Sequence, residues 1–204
     1  MTTSLPFALR ATVAALLAAT GLAAHAGDFT LSGQLAHHND VVRITFDVAA
    51  GGSDVSLFTD SWQNGLNFDP ALAVWRQSGN DWTLIGQNDD VDLPSGAQGW
   101  YDSGLTLTQA AAGRYMVTLV ATFNAPNGTQ LSQGFSYDAE APITIGQWTQ
   151  PTADINYGDQ KGGLWQLHLN GVQSVAAVPE PSTWLLMALG AAALLPAARR
   201  SRQA

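Results

Sequence analysis

Apolar and polar residues alternate without a break from Val42 to Val48, a period of two that requires an extended chain with one face buried. Other runs rich in β-branched and aromatic residues recur along the chain, separated by clusters of Gly, Asn, Asp and Pro. These runs are predicted strands at 29–35, 55–59, 72–77, 82–87, 104–108, 113–123 and 164–169. About eight strands without an amphipathic helix predict an all-β fold, an antiparallel β-sandwich that is jelly-roll-like.

The remaining part of the body is less regular. Residues 124–163 contain three prolines with many glycines and polar residues, which predicts long loops with at most one strand, at 143–148. The stretch 109–112 predicts a single helical turn. Residues 27–171 are therefore the predicted sandwich domain, and the small, apolar residues of 172–178 are a predicted linker.

The first 26 residues have the three parts of a secretory signal peptide. Arg10 supplies positive charge, residues 11–24 are apolar, and Ala24 and Ala26 form a small-residue cleavage pattern. We predict a signal helix that takes the chain through the Sec translocon and is removed by signal peptidase. The alternative is an anchor that is retained at the N-terminus.

The C-terminal segment 179–204 combines an acidic proline motif, an apolar run and a basic end. Pro179, Glu180 and Pro181 precede the run 183–198, and Arg199, Arg200 and Arg202 follow it as a stop-transfer signal. The run has 16 residues. As a helix it would be about 24 Å long, which is marginal for a hydrocarbon core of about 30 Å. We predict a transmembrane helix with its arginines in the cytoplasm and the body outside.

This ordered set of three elements resembles the PEP-CTERM sorting signal of Gram-negative bacteria. The resemblance implies processing by an exosortase, transient residence in the inner membrane, and delivery to the cell surface or extracellular matrix. It also implies an association with exopolysaccharide and biofilm. The alternative is an ordinary C-terminal membrane helix that is never cut.

Composition excludes several functions. The four cations and fifteen acids of residues 27–178 give a formal charge of −11, which repels the phosphates of nucleic acids. The chain has no cysteine, so disulfides, zinc–thiolate sites and cysteine nucleophiles are excluded. An acidic protein outside the cell suits a hard cation such as Ca²⁺.

Three short stretches of the body resemble the β-sandwich domain of many PEP-CTERM proteins, which is akin to bacterial pre-peptidase C-terminal domains. They are Phe68-Asp69-Pro70 before an apolar run, Asn88-Asp89-Asp90 at a strand end, and Ala112-Gly113-Arg114-Tyr115 entering a strand. The first two stretches lie at the same end of a predicted hairpin. Carboxylates gathered there predict a Ca²⁺ site whose candidate ligands are Asp69, Asn88, Asp89, Asp90 and Asp102. The alternative is turn chemistry, because Asp and Asn side chains often cap the backbone of turns.

Aromatic residues in the predicted loops are the second candidate site. Trp62, Trp100 and Trp148 would stack on sugar rings if they were exposed side by side, or they would plug the ends of the core. Motifs for serine hydrolases, zinc proteases and phosphate binding are missing from the sequence. The sequence therefore favours a non-catalytic exported protein. The alternatives are a carbohydrate-binding module and a secreted hydrolase that uses loop carboxylates.

Overall fold

The computed structural model describes residues 26–151 and 160–177, and these form nine strands and three short 3₁₀ helices. The strands are β1 (Gly27–Gln34), β2 (Val42–Val48), β3 (Ser53–Thr59), β4 (Pro70–Ser78), β5 (Asp81–Asn88), β6 (Gly104–Ala110), β7 (Gly113–Ala121), β8 (Leu164–Val172) and β9 (Ser174–Ala177). The 3₁₀ helices are Gln63–Gly65, Leu131–Gln133 and Ile145–Gln147. The all-β prediction is confirmed.

Two antiparallel sheets pack face to face. One has the order β1-β8-β3-β6 and the other β5-β4-β7-β2-β9. The alternation in β2 explains the packing, because Ile44, Phe46 and Val48 face inward and join one buried core with Leu57 and Leu167 of the opposite sheet. The chain crosses to the other sheet at every connection before β8 except the β4–β5 hairpin. This order is compatible with the predicted jelly-roll-like sandwich.

The crossovers place the long connections together. Residues 35–41, 60–69, 89–103 and 122–163 all join strands at one end of the sandwich, which we call the loop end. The register places that end beyond the Pro70–Ala121 pair of β4 and β7 and beyond the Gly104–Phe58 pair of β6 and β3. The opposite end has only tight turns, at 49–52, 79–80, 111–112 and 173.

A flap formed by residues 122–136 covers the outer face of the five-stranded sheet. Phe135 is buried against Trp75 in an edge-on ring contact of 6.3 Å between centroids, and Arg43 lies over the Phe135 ring. The flap is also tied to β5, where the Leu84 N–H donates to the carbonyl of Thr129 at 2.9 Å. The outer face of this sheet therefore has its own apolar cluster, separate from the core.

Three local predictions were wrong. The strand expected at 143–148 is replaced by the 3₁₀ helix Ile145–Gln147, whose Ile145 N–H bonds to the Ala36 carbonyl. The helical turn expected at 109–112 is the end of β6 and a turn, with Gln109 at a φ of 49°. Most of the expected linker 172–178 is strand, because residues 174–177 pair with β2 as β9.

Several predictions concern residues outside the described ranges. They are the signal helix with Ala24 of its cleavage pattern, and the segment 179–204 with its sorting motif, apolar run and arginines. Within 26–151 and 160–177, no helix is long and apolar enough to cross a membrane.

Candidate functional site

Three carboxylates meet at the loop end. Asp69 precedes β4, and Asp89 and Asp90 follow β5, so the β4–β5 hairpin brings the two points together. One oxygen from each of the three side chains lies within 4.8 Å of the others. Asp69 is buried, Asp89 is half-buried and Asp90 is exposed, so the cluster opens toward solvent on one side. We call these three residues the acid trio.

Thr122, the first residue after β7, completes the cluster. Its hydroxyl lies 3.1 Å from Oδ1 of Asp69 and also contacts Oδ1 of Asp89, while its N–H donates to the Asp69 carbonyl at 2.8 Å. The Asp69 N–H in turn donates to the buried amide oxygen of Gln150 at 2.9 Å. The Asp69 backbone is therefore held on both sides, which fixes the position of its side chain. The pattern of the sequence gave no sign of Thr122 or Gln150.

Two members of the acid trio, Asp89 and Asp90, lie where their ionised forms are disfavoured. Burial raises the pKa of Asp89 above its ordinary value, against a smaller opposing effect of the hydrogen bond from Thr122. Burial also raises the pKa of Asp90, and the negative charge of Asp89 adds to this effect. A divalent cation among the three oxygens would offset both the repulsion between the carboxylates and the cost of their desolvation.

The donor set fits a hard cation. Ca²⁺ takes six to eight oxygen ligands, from carboxylates, hydroxyls, carbonyls and water. The acid trio brings together one carboxylate oxygen from each of its three residues, and the Thr122 hydroxyl lies against two of its members. Its exposed side leaves room for water ligands. The residues therefore fit Ca²⁺ by ligand type and by spacing.

Two of the five predicted metal ligands lie elsewhere in the hydrogen-bond network. The Asn88 side chain donates to the Gly104 carbonyl at 2.7 Å. Asp102 is fully buried, and its carboxylate accepts from Thr59 Oγ1 and from the N–H groups of Ser61, Trp62 and Gly99 at 2.8–3.1 Å. These partners make Asp102 a cap of the loops 60–69 and 89–103. The turn-chemistry interpretation describes it better than the metal interpretation.

The three predicted stacking residues do not form an exposed row. Trp62 and Trp148 are 2% and 7% exposed, because Trp62 packs on Tyr101 and Trp148 packs on His38 and Tyr137. The stacking prediction is wrong for both residues. Their large apolar rings instead close the loop end of the core. Trp100 is 61% exposed and is available to a ligand.

A cavity of about 400 Å³ lies beside the acid trio, between the flap and the outer face of the five-stranded sheet. Its lining includes Asp89, Gln87 and Thr118, together with Ala73, Phe123 and Phe135. The cavity is therefore mainly apolar with a carboxylate at its rim. The sequence did not predict it, because the flap that forms one wall has no regular pattern.

Two of the described histidines lie 3.0 Å from a carboxylate that is distant in the sequence, and His37 lies 3.6 Å from the nearby Asp40. His38 is buried, and its Nε2 lies 3.0 Å from Oε2 of Glu140, the one glutamate of the body. His168 lies on the outer face of the four-stranded sheet, 3.0 Å from Asp60 and 3.1 Å from the Thr30 hydroxyl. The contact between His38 and Glu140 links the loop 35–41 to the segment 122–163. The contacts of His168 link β8 to β1 and to Asp60, the residue after β3.

The family match lies at the C-terminal end of the chain. Residues 177–203 match the family model described as the PEP-CTERM protein-sorting motif. No curated protein matches the chain. Among solved structures, the crystal structure of Yersinia pseudotuberculosis-derived mitogen (YPM) is similar at 12% identity and a TM-score of 0.39. That likeness covers 75% of this chain and 99% of the mitogen chain, and at this TM-score it has no functional implication.

The sorting-motif match agrees with the resemblance seen in Pro179, Glu180 and Pro181 and the residues after them. The motif implies an exported protein that is sorted by an exosortase. It begins at Ala177, the last residue of β9.

Proposed function

We propose that this chain is a non-catalytic protein of the cell surface or extracellular matrix. Its tail holds it briefly in the inner membrane until an exosortase cuts near Pro179-Glu180-Pro181. The observation that carries this proposal is the sorting motif at 177–203, which follows directly on a folded β-sandwich. A structural role also suits the body, whose carboxylates and aromatic residues are largely engaged in capping and packing.

Cell fractionation tests the sorting step. In a host with the exosortase, we expect a shortened protein at the surface or in the medium, and in a deletion strain the longer form in the membrane fraction. Replacing Pro179, Glu180 and Pro181 with alanine is expected to reproduce the deletion. Pro151→Ala, at an exposed position outside the motif, is the matched control and should be processed normally. Equal mass and location in both strains would refute the proposal.

The body is proposed to hold Ca²⁺ at the acid trio. Support comes from the spacing of the three oxygens, the adjacent Thr122 hydroxyl and the raised pKa values of Asp89 and Asp90. The ion would join the start of β4, the end of β5 and, through Thr122, the end of β7. Its role is to stabilise the loop end of a domain that has no disulfide.

The body is also assigned to the jelly-roll-like sandwich domains of PEP-CTERM proteins. Support comes from the strand order and from the positions of the three sequence stretches that carry the resemblance. Phe68-Asp69-Pro70 leads into β4, Asn88-Asp89-Asp90 ends β5, and Gly113 begins β7. These positions support the proposal, because the resemblance implies a strand start after the first stretch and within the third, and a strand end at the second.

Association with exopolysaccharide is the second part of the proposed function, and the exposed indole of Trp100 supports it. A pull-down with the producer's own exopolysaccharide tests it. We expect Trp100→Ala to lose retention, because the stacking surface is removed. Leu93→Ala, which removes an apolar side chain that is more exposed (83% against 61%) but has no ring, should be retained like the wild type. Equal retention of the Trp100 variant would contradict the carbohydrate role.

A further inference from the structure

The position of β9 fixes where the tail leaves the domain. β9 runs antiparallel to β2, with Ser174 opposite Asp47 and Ala177 opposite Ile44. Because β2 begins at the loop end, β9 runs toward that end. Side chains hold this pairing too, since Ser174 Oγ donates to Asp47 at 2.7 Å and Thr45 Oγ1 donates to the Ala176 carbonyl at 3.2 Å. The tail therefore starts on the side of the sandwich where all the long loops lie.

The tether between β9 and the apolar run is short. Five residues, 178–182, separate Ala177 from Thr183. Whatever conformation these five residues adopt, the Cα atoms of Ala177 and Thr183 are at most about 22 Å apart. As long as β9 stays paired with β2, the loop end cannot move far from a membrane that holds residues 183–198.

The loop end is also where the exposed apolar side chains lie. Among the described residues, five of the six large hydrophobic side chains that are exposed belong to connections at this end: Leu66, Leu93, Trp100, Phe123 and Ile143. Only Ile85 lies in a strand. Leu66 and Trp100 are 70% and 61% exposed, and their loops pack together through the rings of Trp62 and Tyr101, 5.0 Å apart. Leu66 and Trp100 are thus exposed on two loops that contact each other, and exposed apolar residues on neighbouring loops mark an interaction surface.

We infer that the loop end is a membrane-docking surface, and that it rests on the lipid headgroups while the tail is still uncut. Leu66 and Trp100 enter the interface, where an indole ring is favoured because it is apolar with one polar N–H. The acid trio lies at the same end, and a Ca²⁺ ion held there would reduce its repulsion from anionic lipids. The inference rests on the proposed membrane hold by the tail. Once the tail is cut, the tether is gone and the domain leaves the surface.

A probe of local polarity tests this orientation. The chain has no cysteine, so one substitution gives a unique site for an NBD label. Leu66→Cys places the label at the loop end, and Asn80→Cys places it in the exposed β4–β5 turn at the opposite end. The protein with its tail intact is reconstituted in vesicles of phosphatidylethanolamine and phosphatidylglycerol with Ca²⁺. We expect a blue-shifted label at position 66 that nitroxide lipids quench, and a water-like label at position 80.

The outcomes separate the inference from its premise. If the protein floats with the vesicles but both labels are water-like, the docking surface is refuted while the membrane hold stands. If the protein does not float with the vesicles, the membrane hold fails and the docking fails with it. If the label at position 66 becomes protected only when exosortase is added, the surface belongs to the enzyme and the lipid assignment is overturned. Trp100→Ser with the label at position 66 should lose part of the blue shift at an unchanged melting temperature.

Discussion

Removal of Asp89 is the sharpest perturbation of the proposed Ca²⁺ site, because this carboxylate is half-buried and shares Thr122 with Asp69. Extracellular Ca²⁺ modules have dissociation constants of about 10⁻⁴–10⁻³ M. At a free Ca²⁺ concentration of about 100 times the dissociation constant, binding to the folded state adds about 2.7 kcal/mol to the free energy of unfolding. For a domain of about 150 residues, this corresponds to a rise of about 5–11 °C in melting temperature.

Thermal melts in Ca²⁺ and in EDTA measure this effect. We expect Ca²⁺ to raise the melting temperature of the wild type by the full amount and to leave that of Asp89→Asn unchanged. In EDTA the variant should melt above the wild type at neutral pH, because the substitution removes a charge that burial disfavours. Asp92→Asn, an exposed acid outside the acid trio, is the matched control and should keep the full rise. A wild type that melts at the same temperature in Ca²⁺ and in EDTA would refute the site.

The pH dependence of the stability of the wild type and of Asp89→Asn gives an independent check. The raised pKa values of Asp89 and Asp90 mean that, without metal, the folded state holds these protons more tightly than the unfolded state. Their contribution to stability is therefore present below the ordinary value of 3.8 and is lost as the pH rises through the raised pKa values. In EDTA, the free energy of unfolding of the wild type should fall relative to that of Asp89→Asn as the pH rises through this window. In Ca²⁺ the order should reverse at neutral pH, because the ion binds the ionised carboxylates.

Three further substitutions test the assignments of single residues. Asp102→Ala should lower the free energy of unfolding by about 3–5 kcal/mol, because buried donors lose a charged acceptor. The Ca²⁺-dependent rise in melting temperature should persist in this variant, and loss of that rise would make Asp102 a ligand. Phe135→Ala should cost about 3–5 kcal/mol and speed amide exchange at Leu84, the residue that the flap hydrogen-bonds; unchanged exchange there would show that the flap is held by other contacts. Gly33→Ala should cost about 1–3 kcal/mol in urea unfolding, since its Cβ would lie 2.5 Å from the Trp165 ring, and an unchanged midpoint would mean that the ring moves freely.

The strands could be predicted because each is a local pattern. The alternation in β2 depends only on which face of the strand is buried, and residues 42–48 form the strand as expected. The acid trio could be anticipated in part for a related reason: a hairpin places the residue before one strand beside the residue after the next. Asp69 and Asp89 therefore come together by topology alone.

The failures concern side-chain direction and irregular chain. Asp102 lies in the same loop as Asp90, yet its carboxylate points inward and accepts hydrogen bonds from the N–H groups of Ser61 and Trp62. The sequence of the flap has no periodicity, because the flap is held by single residues such as Phe135. This side chain packs into an apolar cluster formed by strands that are distant in the sequence. β9 has four residues and little pattern, and it is a strand only because the edge of β2 offers it hydrogen-bond partners.

Local sequence was enough to identify the sorting motif and the positions of most strands. Both depend on residues that are close together in the chain: a proline motif beside an apolar run, or apolar residues two apart. The tertiary structure alone decided which acids form the trio, that Trp100 is exposed while Trp62 is buried, and that the tail leaves from the loop end. These features depend on distances between residues far apart in the chain. Such distances are set by how the two sheets and the flap pack.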